Sequence, residues 1–163
     1  MNNIENSLEG KFQSNAFSQS PPASDSSPST LDYGHSTPLV ILSCGMFYGR
    51  KNFPGLIQAF NCIAEKYPNV LLKIFGDGPD RLKVEQARFL SSFKDRIEMP
   101  GKVSHAEILK QMHAADIFAL IGWREPFATV FLEAMAAGLP VIACDDGGIA
   151  EVIHSVDMAA VTL

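Results

Sequence analysis

From Pro38 onward, short apolar runs alternate with longer segments in which apolar residues recur at helical spacing. The apolar runs have the length and the β-branched content of strands buried on both faces of a sheet. They lie at about 38–44, 70–75, 97–99, 116–121 and 140–144. The helical segments between them lie at about 52–64, 80–93, 105–114 and 127–137. This alternation predicts an α/β fold, a Rossmann-like parallel sheet with helices on both faces.

Several residues mark where these helices begin and end. Asn52 is a good N-cap for the first helix, and Ser104 is one for the third. Pro126 suits the first turn of the fourth helix, and Gly138 suits its end. The boundaries place a loop between each strand and the helix that follows it.

Residues 1–37 differ in composition from the rest of the chain. They contain nine serines, and Lys11 is their single basic residue among four acidic ones. Such a segment cannot bury enough apolar area to offset the entropy of ordering it. We therefore predict a disordered Ser, Pro and Asn-rich tail at 1–37, to which we assign no chemistry, and one folded domain at 38–163.

Charge and cysteine content exclude several classes of function. The net charge of −5 does not supply the clustered Lys and Arg that nucleic-acid binding requires, so we expect no nucleic acid partner. The three cysteines are far apart, which fits neither a zinc site nor a disulfide framework. No apolar run approaches the ~20 residues that span a bilayer, and no export signal is recognisable. We expect a cytoplasmic protein without a sequence-visible membrane anchor.

In open parallel sheets, ligands bind beyond the carboxyl ends of the strands. The corresponding loops here are 45–51, 76–80, 101–104, 122–126 and 145–148. Most have a glycine near a helix start, where backbone amides can approach an anion without an intervening side chain. Together they predict a phosphorylated or otherwise polar ligand, although each glycine is also compatible with a simple turn.

Two carboxylates are associated with the predicted fourth helix: Glu125 lies just before its start, and Glu133 lies near its middle. Seven residues separate Glu125 from Glu133, and the residues between them and after them are largely apolar. We expect this helix to be buried, so Glu133 needs a partner, because an unpaired buried charge costs several kcal/mol. The partner could be a basic side chain, backbone donors or ligand hydroxyls. In a purely structural alternative, Glu125 caps the helix and Glu133 pairs with Arg50 or Lys51.

The run from Gly122 to Glu151, GWREPFATVFLEAMAAGLPVIACDDGGIAE, closely resembles the signature of retaining GT-B glycosyltransferases of family 4, also called group 1. The resemblance continues upstream through Lys51 with Asn52 and through the segment FGDGP at 75–79. It covers about residues 38–156. It implies the carboxy-terminal, donor-binding lobe of a two-lobed enzyme, in truncated form.

The resemblance also implies roles for individual residues. Glu125 would contact the donor sugar. Lys51 would neutralise the diphosphate leaving group, with Arg50 as a second cation. Glu125 and Lys51 are thus the catalytic candidates. Glu133 would accept hydrogen bonds from the ribose hydroxyls of the nucleotide. The remaining donor-binding candidates are Gly76 and Val103 near the base, and the amides of Phe127 and Ala128 near the sugar or phosphate. No metal and no cofactor besides the nucleotide-sugar substrate are expected.

Departures from the family pattern concern the phosphate site and the second lobe. Met46 stands where the family commonly has a phosphate-binding arginine, and Ala128 where it commonly has a glycine. The amino-terminal lobe, which carries the acceptor site, is not recognisable in this sequence. We therefore expect a nucleotide sugar as ligand, and an amino-terminal lobe on a separate chain or a homo-oligomer as partner. In the alternative interpretation, the chain is a non-catalytic nucleotide-sugar binding module, a split-enzyme subunit or a truncated gene product.

Other uses of such a sheet fit less well. The first strand is followed by GMFYGR, which matches neither a dinucleotide-binding G-x-G-x-x-G nor a P-loop. A sugar-nucleotide 2-epimerase shares the two-lobed architecture, but the glutamate pair favours the transferase. We interpret His105, His113 and His154 as surface or helix-face residues and Cys144 as a packing residue.

Overall fold

The computed structural model describes residues 37–123, 129–145 and 160–162. Six strands lie within these ranges: β1 Leu39–Cys44, β2 Val70–Phe75, β3 Ile97–Gly101, β4 Ile117–Leu120, β5 Val141–Ala143 and β6 Ala160–Thr162. The same ranges contain four α-helices, which follow β1, β2, β3 and β4 in turn: α1 Phe53–Lys66, α2 Arg81–Leu90, α3 His105–His113 and α4 Thr129–Ala136. Short 3-10 turns precede α1 at Gly49–Lys51 and β3 at Lys94–Arg96.

The strands form one parallel sheet in the order β3-β2-β1-β4-β5-β6. The chain moves outward from β1 to β3, then crosses back to place β4 on the other side of β1. Because parallel crossovers are right-handed, this reversal puts α1 and α2 on one face and α3 and α4 on the other. Contacts of α1 with α2, and of α3 with α4, agree with this placement. The predicted Rossmann-like fold is confirmed.

The sequence signals for helix starts are confirmed at the two described caps. The Asn52 side chain accepts a hydrogen bond from the Gly55 amide, and the Ser104 hydroxyl accepts one from the Glu107 amide. The predicted limits of the second helix are wrong at its end, because α2 stops at Leu90 rather than near residue 93. Strand β6 was not predicted.

The core lies on both faces of the central strands. Phe47 and Phe53 pack edge to face on one side, with ring centroids 4.8 Å apart, and Phe118 and Phe131 do so at 5.6 Å on the other. The second pair ties α4 to β4. The expectation that α4 is buried all round is wrong: Phe131 and Ala134 are buried, but Leu132 is 39% exposed.

Some sequence predictions fall on residues outside the described ranges. The predicted tail at 1–37 lies outside these ranges, apart from Thr37. The loop that contains Glu125 also lies outside them. Within the described ranges, none of the helices is both long and apolar enough to cross a membrane.

Candidate functional site at the carboxyl ends of the strands

A cavity of about 500 Å³ opens at the carboxyl ends of β1, β2 and β3. Its walls come from the loops that follow these three strands and from one side each of α3 and α4. The lining residues are Cys44, Gly45, Met46, Phe75, Gly76, Asp77, Gly78, Lys102, Val103, His105, Ile108 and Glu133. The cavity therefore lies next to the point where the strand order reverses between β1 and β4, as expected for a ligand site in an open parallel sheet.

The floor of the cavity is built by two loops that hold each other. The amide of Phe47 donates to the carbonyl of Asp77, and the carbonyl of Phe47 accepts from the amide of Asp80, both at 2.9 Å. A Cβ on Gly76 would overlap the carbonyl oxygen of Gly45, and one on Gly78 would lie 2.7 Å from the amide nitrogen of Phe47. Glycine is thus required at both positions by the neighbouring loop, which is a structural reason that the sequence interpretation did not include.

Arg50 and Lys51 lie between the first and fourth strand ends. The amide of Trp123 donates to the carbonyl of Arg50 at 2.9 Å, and a Cβ on Gly122 would lie 2.8 Å from the same oxygen. The Cε of Lys51 would be 3.8 Å from a Cβ on Gly45. The Lys51 side chain is therefore beside Gly45, whose backbone lines the cavity, and the Arg50 side chain is exposed.

Glu133 projects from α4 to the cavity wall. Its side chain is 30% exposed, so the expectation of a fully buried charge is wrong. Its Oε1 lies 3.1 Å from Nε2 of His105, the first residue of α3. The partner that the structure describes for this carboxylate is therefore the imidazole of His105.

His105 was not among the predicted site residues. The prediction that it is a surface residue agrees with its side chain, which is 68% exposed. A usable signal was present, because His105 follows the cap Ser104 at the carboxyl end of a strand, the edge at which the other candidates were expected. Its distance from Glu133 along the chain gave no indication of contact.

The pKa of the Cys44 thiol depends on charged groups of the site. Burial raises its pKa to about 12, with a further increase from the charge of Glu133 and an opposing decrease from the charge of Lys51. Both charged groups are therefore close enough to the end of β1 to act on one atom. The structure thus brings a carboxylate and an ammonium to the same strand end.

The predicted site residues divide into three groups. Gly76, Val103 and Glu133 line one cavity, and Met46 lines it as well, with 52% of its surface exposed. Lys51 lies beside the cavity, and Arg50 is the residue that precedes Lys51 in the sequence. Glu125, Phe127 and Ala128 lie outside the described residues.

Comparison with known proteins agrees with this architecture. A model of the family described as glycosyl transferases group 1 matches residues 32–160. The chain belongs to this family. The gpi3 subunit of phosphatidylinositol N-acetylglucosaminyltransferase from Schizosaccharomyces pombe is 35% identical over 117 residues, which are 72% of this chain and 26% of that protein. The chain thus spans about a quarter of the length of the curated relatives that it matches.

Solved structures of group 1 glycosyltransferases share the fold. The C-terminal domain of a group 1 glycosyl transferase, LpcC, from Francisella tularensis has a TM-score of 0.66 and 26% identity, and covers 77% of this chain and 69% of that one. Anabaena HepE in complex with UDP-glucose has a TM-score of 0.66 and 28% identity. The match covers 77% of this chain and 35% of HepE. The expected GT-B group 1 relationship is therefore confirmed in sequence and in fold.

Proposed function

We propose that this chain is the donor-binding half of a retaining GT-B glycosyltransferase, which transfers a sugar from a nucleotide sugar to an acceptor. The observation that carries the proposal is the cavity at the carboxyl ends of β1 to β3 with the Glu133 carboxylate on its wall. A ligand that enters it meets backbone from three loops, the carboxylates of Asp77 and Glu133, and the ammonium of Lys102, with that of Lys51 nearby. These groups match the parts of a nucleoside diphosphate.

In the proposed pose, each part of the nucleotide has a chemically suited neighbour. The base lies against the segment at Gly76 and against Val103, and the ribose hydroxyls donate to Glu133. Lys51 contacts the diphosphate, where an ammonium can stabilise the charge that develops on a leaving group. Arg50 serves as a second cation. Glu125 and the amides of Phe127 and Ala128 hold the sugar in this proposal.

The relatives suggest which donor to try first. HepE was solved with UDP-glucose, and the fission yeast relative is named as an N-acetylglucosaminyltransferase subunit. We therefore propose a uridine diphosphate sugar as the donor, with UDP-N-acetylglucosamine and UDP-glucose as the first compounds to test. The name of that relative also supports assembly with another subunit, which here would supply an amino-terminal lobe with the acceptor site.

The test is a calorimetric titration of the protein with UDP, GDP and ADP and with the two UDP sugars, with and without Mg²⁺. We expect at least one of them to bind in a one-to-one complex. Because hydrogen bonds to charged groups contribute about 1.5–3 kcal/mol, Lys51→Met and Glu133→Gln should each weaken that binding by a factor of roughly 10 to 100.

Matched control positions lie near the amino ends of the strands, opposite the cavity. Lys66→Met and Glu65→Gln remove the same charges from exposed positions in the last turn of α1. They should leave the affinity unchanged. The absence of binding by all five nucleotides, or equal losses in site and control variants, would contradict the proposal. Binding that requires Mg²⁺ would contradict the expectation of a metal-free site.

A further inference from the structure

We infer that His105 is a positioning residue that holds the Glu133 carboxylate in the orientation that receives the ligand's ribose hydroxyls. This inference rests on the proposed function, because it assigns to the site a residue that acts through Glu133. It starts from the 3.1 Å separation of His105 Nε2 and Glu133 Oε1. Both side chains line the cavity.

The backbone on either side of this pair is well fixed. His105 begins α3, where the hydroxyl of Ser104 accepts from the amide of Glu107 and sets the start of the helix. Glu133 lies in α4 between Phe131 and Ala134, both of which are buried. The Phe131 ring packs against Phe118 of β4. The two helices therefore present the two side chains to each other from anchored backbone positions.

The side chains themselves are less constrained than the backbone. Glu133 is 30% exposed and has several rotatable bonds, so without a partner its carboxylate would sample several orientations. A contact at Oε1 restricts these orientations, and in this inference Oε2 is the oxygen that accepts from the ligand. Restricting a side chain before binding improves affinity, since the ordering cost is not incurred when the ligand arrives.

Other charged groups of the cavity do not replace His105 in this role. Lys102 and Asp77 come from the loops after β3 and β2 and also line the cavity. The Asp77 carboxylate accepts from the amide of Gly78 at 2.8 Å and lies 3.5 Å from the guanidinium of Arg81. Glu107, on the same helix as His105, accepts from the Gln111 amide group. The contact that the structure assigns to Glu133 is with His105.

The inference is tested by comparing UDP with 2′,3′-dideoxy-UDP, which lacks the ribose hydroxyls. We expect His105→Ala to weaken UDP binding roughly threefold to tenfold, the effect of ordering one flexible side chain. Binding of the dideoxy compound should not change. In a Glu133→Gln background, His105→Ala should have no further effect, since the carboxylate that it positions is gone.

Two further variants separate positioning from a general structural role. His105→Gln keeps an N–H donor and should retain most of the affinity for UDP. His113→Ala changes the exposed histidine at the other end of α3 and should bind UDP like the unaltered protein. Thermal unfolding of His105→Ala should remain close to that of the unaltered protein, because the side chain is mostly exposed.

The outcomes distinguish this inference from the proposed function. If the unaltered protein binds UDP and His105→Ala binds it equally well, the inference is wrong and the proposed function stands. Equal weakening of UDP and dideoxy-UDP binding by His105→Ala would also overturn it. If the unaltered protein binds none of the five nucleotides, the proposed function fails, and the inference fails with it.

Discussion

At the scale of single residues, the end of β1 shows how the surroundings determine reactivity. Cys44 is buried, while Cys62 is exposed on α1. Burial and the charge of Glu133 raise the pKa of the Cys44 thiol to about 12, and Lys51 only partly opposes this. A thiol reacts as its thiolate. Cys44 therefore remains protonated and unreactive at neutral pH, although it lines the candidate site.

The first prediction concerns alkylation of these cysteines. At pH 8 in the folded protein, iodoacetamide should modify Cys62 readily and leave Cys44 unmodified, and peptide mass spectrometry measures both in one sample. Raising the pH to 9.5 should still spare Cys44, because that pH lies well below its pKa of about 12. Denaturant should make the two cysteines react alike. Rapid modification of Cys44 in the folded protein at pH 8 would contradict the described environment.

The second prediction concerns the glycines of the cavity floor. Gly76 has a φ of +143°, and a side chain there would meet the carbonyl of Gly45. Backbone strain and overpacking together should make Gly76→Ala about 2–4 kcal/mol less stable toward urea unfolding. Gly49→Ala is the matched control, because its Cβ would lie 3.8 Å from Asp80, an ordinary contact. A loss at Gly76 no larger than at Gly49 would contradict the loop-to-loop contact.

At the scale of elements, Arg96 joins the end of α1 to the start of β3. Its guanidinium donates to the carbonyls of Ala64, Tyr67 and Pro68 at 2.6–2.9 Å. It also lies 4.6 Å from the ring centroid of Phe93. The last carbonyls of a helix have no partner within it, so a cation that bonds them stabilises the helix end. Arg96 thereby stabilises the end of α1 and the turn that follows it.

The third prediction follows from this arrangement. Arg96→Gln should lower the free energy of unfolding by about 2–3 kcal/mol, since several charge-assisted hydrogen bonds are lost. Arg96→Lys should recover only part of it, because an ammonium lacks the planar fork. Lys66→Gln, in the last turn of the same helix, is the control and should change stability by less than about 0.5 kcal/mol. Urea denaturation measures all three, and equal losses for Arg96→Gln and Lys66→Gln would contradict the capping role.

The elements that the sequence predicted are those whose signals are local. The apolar runs of β1 and β2 and the caps Asn52 and Ser104 lie within a few residues of the structure that they specify. The Glu133–His105 contact could not be found this way, because it depends on α3 and α4 sharing one face of the sheet. Gly76 and Gly78 are evident in the sequence, but their close approach to the backbone of the loop after β1 is evident only in the structure. The three-residue β6 has too short a pattern to be recognised.

At the scale of the whole molecule, the proposal assigns donor binding to the described lobe and requires a second lobe for transfer. A retaining transfer needs the acceptor oxygen about 3 Å from the anomeric carbon, in a site shielded from water. The cavity described here has walls from α3, α4 and the loops that follow β1 to β3. In the proposal, the second wall comes from an amino-terminal lobe.

The fourth prediction is therefore that a polypeptide of these 163 residues binds donor but transfers little sugar. Incubation with UDP sugars and a panel of acceptors, followed by mass spectrometry, should detect at most slow hydrolysis of the donor. Addition of a separately produced amino-terminal lobe should raise transfer. Robust turnover by the polypeptide alone, abolished by Glu125→Ala, would show that a homo-oligomer or the chain itself completes the site.

The central claim is that UDP, the nucleotide of the proposed donor, occupies the cavity at the carboxyl ends of β1 to β3. The most direct test is a titration of the isotope-labelled protein with UDP, followed by backbone amide NMR. We predict saturable shifts at Gly76, Val103 and Glu133, and none at Glu65 and Lys66, which lie at the opposite edge of the sheet. Shifts concentrated away from the cavity, or no saturable shifts with UDP, would contradict the claim.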